Sequence, residues 1–346
     1  AVELLDHVLS EIVLGLGVPL VAIAGNHDSA ERVGFGAGLY RERGFQHGYL
    51  LAKEIADIPH AVFYGENIDT GSRLSGLARN FKVADSSLLI NTGNCEYTHC
   101  GIGFGMMLNG ATAVLFVKQL DFMLLGMDHF VSTYQNIRAH RDIRTLGSFT
   151  IVVVAYDQGF QGPQSSFNAL GDMCSVARVP GYTLTNNQDS AHIIRTQLRQ
   201  PGFRFIALSQ RHSPKEFLQL ELIHVGRDSA VFQYTEGSEA TIACFNFTTP
   251  EGILLHQKLR ERGLTSSVFS VNNVFPHDWS SIKRSVSRTG RLVVLDDSKS
   301  INLLGYALLH EVAEACPVSQ RIIVTREADI DFGVSPDRFQ IDFDAL

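Results

Sequence analysis

Short apolar runs of strand length alternate with segments of helical length through most of this chain. The runs "AVFYG" (61–65), "TAVLFV" (112–117), "FTIVVVAY" (149–156) and "FRFIAL" (203–208) set that rhythm. Such alternation argues for a parallel sheet covered by helices, an α/β fold. Between residues 211 and 239 the text turns polar and loses its period ("RHSPKEF", "GRDSA", "TEGSE"), which marks a boundary. A second α/β series follows: strand "ATIACFNF", helix 250–263, strand "SSVFSV", helix 278–288, strand "RLVVLDD", helix 302–315 and strand "RIIVT". That series is compact enough to form its own domain. At 346 residues the chain can bury two cores. The division expected is an extension over 1–48, a first domain over 49–212, and a linker with a smaller domain over 213–346.

A formal net charge of −7 and the lack of a basic stripe argue against a nucleic-acid backbone as partner. Five cysteines, an odd number without framework or zinc spacing, point to reduced thiols in the cytoplasm. No signal peptide is evident, and runs such as Ile151–Ala155 are too short to span a bilayer.

Residues 1–36 carry a helical apolar pattern (Val2, Leu5, Val8, Leu9, Ile12, Val13) followed by the strand-like "VPLVAIAG" and then "GNHD" (25–28). The stretch "LGVPLVAIAGNHDSAERVGFG" resembles a segment of exonuclease-type metallophosphoesterases. That resemblance implies further ligand clusters, because two divalent ions must be held together. The chain has no Asp-x-His or Gly-Asp before Gly25 and no His-x-His after it. Asn26 and His27 would be two ligands without a cage, and Asp28 and Ser29 are expected to cap a following helix.

The stretch 92–110 reads "TGNCEYTHCGIGFGMMLNG". Glu96 opens a helix there, with glycines at 101, 103 and 105. Each costs about 1 kcal/mol relative to Ala inside a helix, which points to another backbone or a ligand packed closely against it. A Rossmann reading fails because Met106 stands where the last glycine of GxGxxG is needed.

Together with "FYGENID" (63–69), "QLDF" (119–122), "YDQGFQGPQSSFN" (156–168), "EGSEATIACFN" (236–246) and "FPHDWSSIKRSVSRTGRLVVLDD" (275–297), this stretch resembles the β subunit of thiamine-diphosphate-dependent 2-oxo-acid dehydrogenases. It equally resembles the C-terminal half of transketolase-like enzymes. The resemblance covers residues 61–346 in order. It implies a pyrimidine-binding domain followed by a transketolase C-terminal domain.

It also implies roles. Glu96 falls where the family places the carboxylate that hydrogen-bonds the cofactor's aminopyrimidine ring nitrogen; its other reading is a charge favoured at a helix entry. Phe122 matches the aromatic position on which the pyrimidine stacks; its other reading is a core phenylalanine. Ile68 and Asp69 would border the cofactor, and Gln161, Gln164 and Ser165 lie in the loop facing substrate. The family's dehydrogenases carry a histidine where Ser165 stands, and serine cannot shuttle a proton as imidazole does. Ketol or acyl transfer from a ketose or 2-oxo acid is therefore favoured over 2-oxo-acid dehydrogenation. A scaffold subunit that has lost its chemistry is a further alternative. His99, His129 and His140 are read as helix-face or core-edge residues.

The family binds diphosphate and Mg2+ through Gly-Asp-Gly and a distant Asn. Here "GDM" (171–173) and "NN" (186–187) lack that glycine and spacing and are read as loops. The resemblance thus implies thiamine diphosphate held jointly with an α-type partner chain that supplies the Mg2+ ligands, in an αβ or α2β2 assembly.

Overall fold

A computed structural model describes residues 46–71, 73–159, 166–212, 218–326 and 339–343. The GNHD stretch lies outside the described residues, as do Gln161, Gln164 and Ser165.

After helix α1 (Gln46–Ile55) come strands β1 (Ala61–Glu66) and β2 (Leu88–Thr92), helix α2 (Glu96–Leu108) and β3 (Thr112–Val117). Short helix α3 (Tyr134–His140), β4 (Ser148–Ala155), α4 (Leu170–Ala177), β5 (Gly181–Leu184), α5 (Asn187–Gln197) and β6 (Gly202–Ser209) complete the first half. The second half runs β7 (His224–Val225), β8 (Val231–Gln233), β9 (Ala240–Phe245), α6 (Thr249–Glu261), β10 (Ser266–Val271) and β11 (Asn273–Phe275). It ends with α7 (Ser280–Thr289), β12 (Arg291–Asp296), α8 (Leu304–Ala315) and β13 (Gln320–Thr325).

The first sheet has the order β11–β5–β6–β4–β3–β1–β2, and the second β13–β12–β9–β10–β8–β7. β1 to β6 are mutually parallel, as are β9, β10, β12 and β13. β11 joins antiparallel to β5, so a strand from the second half closes one edge of the first sheet. The interior strand β6 is buried at all its positions, as parallel strands covered on both faces are. Along β4, Phe149, Ile151 and Val153 enter one core with Phe104 and Phe203, while Val152 enters the opposite core with Leu51 and Ile193. That opposite core continues through Phe232, Ile242 and Val268 of the second sheet, so an apolar interior runs across the two halves. Among the described residues, no helix is long and apolar enough to cross a membrane.

The glycines of α2 divide by surroundings. A methyl group on Gly103 would come within 2.3 Å of the Phe149 ring and 2.6 Å of the Tyr64 hydroxyl, whereas one on Gly105 would meet nothing within 4 Å. Close packing therefore explains Gly103 and leaves Gly105 on an open face. Gly103→Ala should destabilise the chain by about 1–3 kcal/mol, and Gly105→Ala should stabilise it by about 1 kcal/mol. Urea denaturation of both variants checks the pair.

Polar side chains meet where the two sheets join. Asp157 follows β4, Ser209 ends β6 and Arg211 follows it, Asn246 follows β9, and Asp297 follows β12; all are buried. Asp297 accepts hydrogen bonds from Arg211 Nη2 (2.8 Å), Asn246 Nδ2 (2.8 Å) and the Phe247 N–H (3.2 Å). Asp157 accepts from Ser209 (2.5 Å) and the Arg211 N–H (2.8 Å). Arg326 bonds the backbone carbonyls of both aspartates.

Neighbouring Asp296 is also buried and accepts from Ser298 and Gly305 N–H groups (3.0 and 3.3 Å). Burial raises its pKa to about 6. The folded chain therefore holds this proton more tightly than the unfolded chain, whose carboxyl titrates near about 4. Between about pH 6 and about pH 4 the folded state binds more protons, so acidification favours it through this group. Asp296→Asn removes that gain. The stability difference should move in the wild type's favour by up to about 3 kcal/mol as pH falls across this window. Denaturation at both ends of the window checks it; a pH-independent difference would contradict it.

Candidate functional site

β1 ends at Glu66, β2 at Thr92, β3 at Val117 and β4 at Ala155, all at the carboxyl edge of the first sheet. Ligands gather at that edge in open α/β sheets. The residues singled out in sequence follow these strand ends: Asp69 after β1, Glu96 after β2, Phe122 after β3.

Glu96 is the first residue of α2, half-buried, where the helix dipole favours a carboxylate. Among the described residues, nothing hydrogen-bonds or ion-pairs with it. The helix behind it is anchored: the Tyr64 hydroxyl donates to the His99 carbonyl (2.8 Å), and Cys100 and Phe104 are buried in the core. Burial lowers the His99 pKa, and the Glu96 carboxylate partly offsets that.

Cys95, just before Glu96, is exposed, with its sulfur 2.9 Å from the Thr98 hydroxyl. That side-chain bond lowers the thiol pKa. The other four cysteines are buried, and burial pushes Cys100 up to about 12. N-ethylmaleimide should therefore modify a single thiol quickly in the native chain, and none quickly in Cys95→Ser. Counting adducts by mass before and after denaturation checks this.

Phe122 sits half-buried on the short turn Leu120–Gly126, which packs on α2. A methyl group on Gly126 would come within 2.7 Å of Cys100 Sγ, a measure of how closely turn and helix approach. Just before Phe122 stand two buried acceptors without a hydrogen-bond partner among the described residues: Gln119 Oε1 and Asp121 Oδ2. Each side chain is held through its other atom. Gln119 Nε2 donates to the Tyr156 hydroxyl (2.5 Å), and Asp121 Oδ1 accepts the N–H groups of Ser166 (3.2 Å) and Phe167 (3.1 Å). Burial raises the Asp121 pKa. A partnerless buried acceptor is costly unless something donates to it, which suits a ligand rich in N–H groups.

The segment after β4 is tied at its described ends. The Tyr156 N–H donates to the Phe167 carbonyl (3.1 Å). From the second half, the Lys299 N–H bonds the Asn168 carbonyl (2.7 Å) and its ammonium bonds the Gly159 carbonyl. Gln119 and Asp121 went unremarked in sequence although they precede Phe122 in "QLDF". Lys299 had no signal, because only the tertiary fold brings it there.

Asp69 is exposed, while the Ile68 side chain is fully buried in the opposite core and its N–H is taken by Asn91 Oδ1 (2.9 Å). Any contact from Ile68 to a ligand at this edge would come from its backbone. His129 bonds Thr133 (3.0 Å) and lies against Tyr97, and His140 bonds the Asn136 carbonyl (2.9 Å). Two loop readings need correction. Gly171–Met173 belong to α4, and Asn187 opens α5, with the Asn186 N–H donating to Asp189 Oδ1 (3.0 Å). The helical period of α4 was hidden by its eight-residue length. Among the described residues, no group of three or more His, Cys, Asp or Glu could hold a metal ion.

No family model matches the chain. A solved split-gene transketolase, an inactive beta4 tetramer, superposes with a TM-score of 0.61 at 16% identity, over 82% of this chain and 88% of that one. The fold is transketolase-like. The 6-deoxy-6-sulfo-D-fructose transketolase subunit SqwH of Clostridium sp. (strain MSTE9) is 25% identical over 170 residues, 48% of this chain and 52% of that protein. The mitochondrial pyruvate dehydrogenase E1 component subunit beta-1 of Arabidopsis thaliana is 22% identical over 221 residues, 57% of this chain and 55% of that protein. The chain thus spans about half the length of these curated relatives.

Proposed function

We propose that this transketolase-like chain is the β-type subunit of a two-component thiamine-diphosphate enzyme that transfers a two-carbon or acyl unit from a ketose or 2-oxo acid donor. The observation that carries this reading is Glu96: a half-buried carboxylate with no described protein partner, at the carboxyl edge of a parallel sheet, on a helix packed against the turn that bears Phe122. In this reading Glu96 shares a proton with the aminopyrimidine ring nitrogen, and Phe122 stacks on that ring. The bound cofactor supplies a stabilised carbanion beside a carbonyl. The chain's own residues bind, orient and move protons. The orphaned acceptors Gln119 Oε1 and Asp121 Oδ2 fit an amine-bearing ring, Asp69 would border the cofactor, and Gln161, Gln164 and Ser165 are the candidates to face the donor.

An α-type chain would hold the diphosphate and Mg2+, in an αβ or α2β2 assembly of the cytoplasm. Tyr97, Ile102 and Leu108 of α2, with Leu124, Leu125 and Val131 beside it, leave an exposed apolar face that supports a partner chain there. The first sheet would serve as the pyrimidine-binding domain (49–212) and the second as the C-terminal domain (213–346). Resemblance to pyruvate dehydrogenase β subunits keeps dehydrogenation as the second reading. Screening donors with the reconstituted pair tests the two: ketol transfer supports the first, and acyl transfer to a lipoyl acceptor the second. No turnover with either donor class would overturn both.

A further inference from the structure

A cleft of about 290 Å³ opens in the second half, between α7 and the antiparallel strands β7 and β8. It is lined by His224, Gln233, Glu236, Phe269, Ser281, Arg284, Ser285 and Arg288. Its volume is near the lower end of small-molecule sites, which begin at about 300 Å³. Arg284 and Arg288 stand four residues apart and so share one face of α7. In a chain of net charge −7, α7 carries Lys283, Arg284 and Arg288 and no acidic residue.

The three cations differ in what they already hold. Lys283 is committed to Glu311 outside the cleft (2.6 Å). Arg288 pairs with Glu236 on the cleft wall (2.8 Å), which fixes its guanidinium there. The Arg284 side chain, on the exposed side of α7, makes no hydrogen bond or close ion pair among the described residues, although its charge acts on the Asp278 carboxylate, and the side chains of His224 and Ser281 make neither. The cleft therefore presents one guanidinium paired with Glu236, a second without a bonded partner that only feels the nearby Asp278 charge, an imidazole and a hydroxyl. A planar fork of N–H donors beside small hydroxyls suits tetrahedral oxyanions, where Arg binds in bidentate fashion.

We propose that this cleft is a binding site for a small phosphate-bearing anion, held by Arg284 and Arg288 with Ser281 and His224 completing the cradle. It is separate from the candidate site: α7 packs on β9 of the second sheet, and none of its lining residues belongs to the first. A ligand here would compete with Glu236 for Arg288, which makes the site weak until an anion with more than one oxygen engages both arginines.

Calorimetric titration of the full chain tests the site, with inorganic phosphate and glucose 6-phosphate as probes at constant ionic strength set with chloride. Saturable binding is expected, weakened about tenfold or more in Arg284→Ser and in Arg288→Ser. It should change less than about twofold in Lys283→Ser and Glu96→Gln, which lie outside the cleft. Tighter binding of the ester would assign a phosphorylated metabolite, and equal affinity the free anion. The proposal is overturned if heats do not saturate, or if Arg284→Ser, with an unchanged melting temperature, binds as the wild type does. Binding lost in Glu96→Gln instead would move the anion to the candidate cofactor edge and overturn it equally.

Discussion

Asp297→Ala should lower the stability of the folded chain by about 3–5 kcal/mol, the cost of removing one partner of a buried ion pair. Three donors converge on this carboxylate: the Arg211 guanidinium, the Asn246 amide and the Phe247 N–H. Arg211 would keep its hydrogen bonds to His212 Nε2 (3.2 Å) and the Phe247 carbonyl (3.4 Å), but the carboxylates of Glu251 at 3.6 Å and Asp157 at 3.9 Å stand beyond hydrogen-bond range. Asn246 would keep only its bond to Asn168. The loss is a large part of the about 5–15 kcal/mol that holds a domain folded. Because the cluster lies where β4, β6, β9 and β12 end together, its failure should loosen the junction before either sheet. Urea denaturation followed by far-ultraviolet circular dichroism and by the fluorescence of Trp279, buried in the second half, reads both events. A loss under about 1 kcal/mol would mean that the arginines find other partners, and would contradict the central place given to Asp297.

Glu96→Gln should reduce turnover of the reconstituted pair by about 100-fold or more, the range for removing a positioned acid or base. The glutamine keeps the shape and a hydrogen-bonding oxygen but cannot share a proton. Affinity for the cofactor should fall far less than turnover does. Deuterium exchange at the cofactor's thiazolium carbon needs no donor substrate, and should slow in the variant alongside turnover. Wild-type exchange and turnover in Glu96→Gln would leave Glu96 as no more than a charge that suits a helix entry.

The alternating rhythm of the sequence was enough to read α/β and to find β1, β3, β4, β6, β9, β10, β12 and β13, because each carries β-branched or aromatic residues in a short run bounded by turns or helical segments. β2 escaped notice because it is an edge strand with exposed Leu88 and Ile90, so no burial pattern marks it. β11 escaped because three residues carry no period, and its pairing with β5 is a long-range event. Glu96 and Phe122 stand out in sequence only through the motif around them, and the fold carries both to one sheet edge. Gly103 is closely packed, but by the Phe149 and Tyr64 side chains rather than by the backbone or ligand expected, and Gly105 meets nothing, since spacing along a helix does not say which face is covered or by what. Lys299 reaches the segment after β4 from the other half, across 140 residues, and local sequence holds no trace of such a contact.

The shared cofactor site is tested most directly by calorimetric titration of thiamine diphosphate with Mg2+ into this chain, into its α-type partner, and into the mixture. Saturable binding in the mixture alone is the expected result, because the pyrimidine and diphosphate ends would be held by different chains. Tight binding by this chain alone, or no binding by a mixture shown to associate, would contradict it.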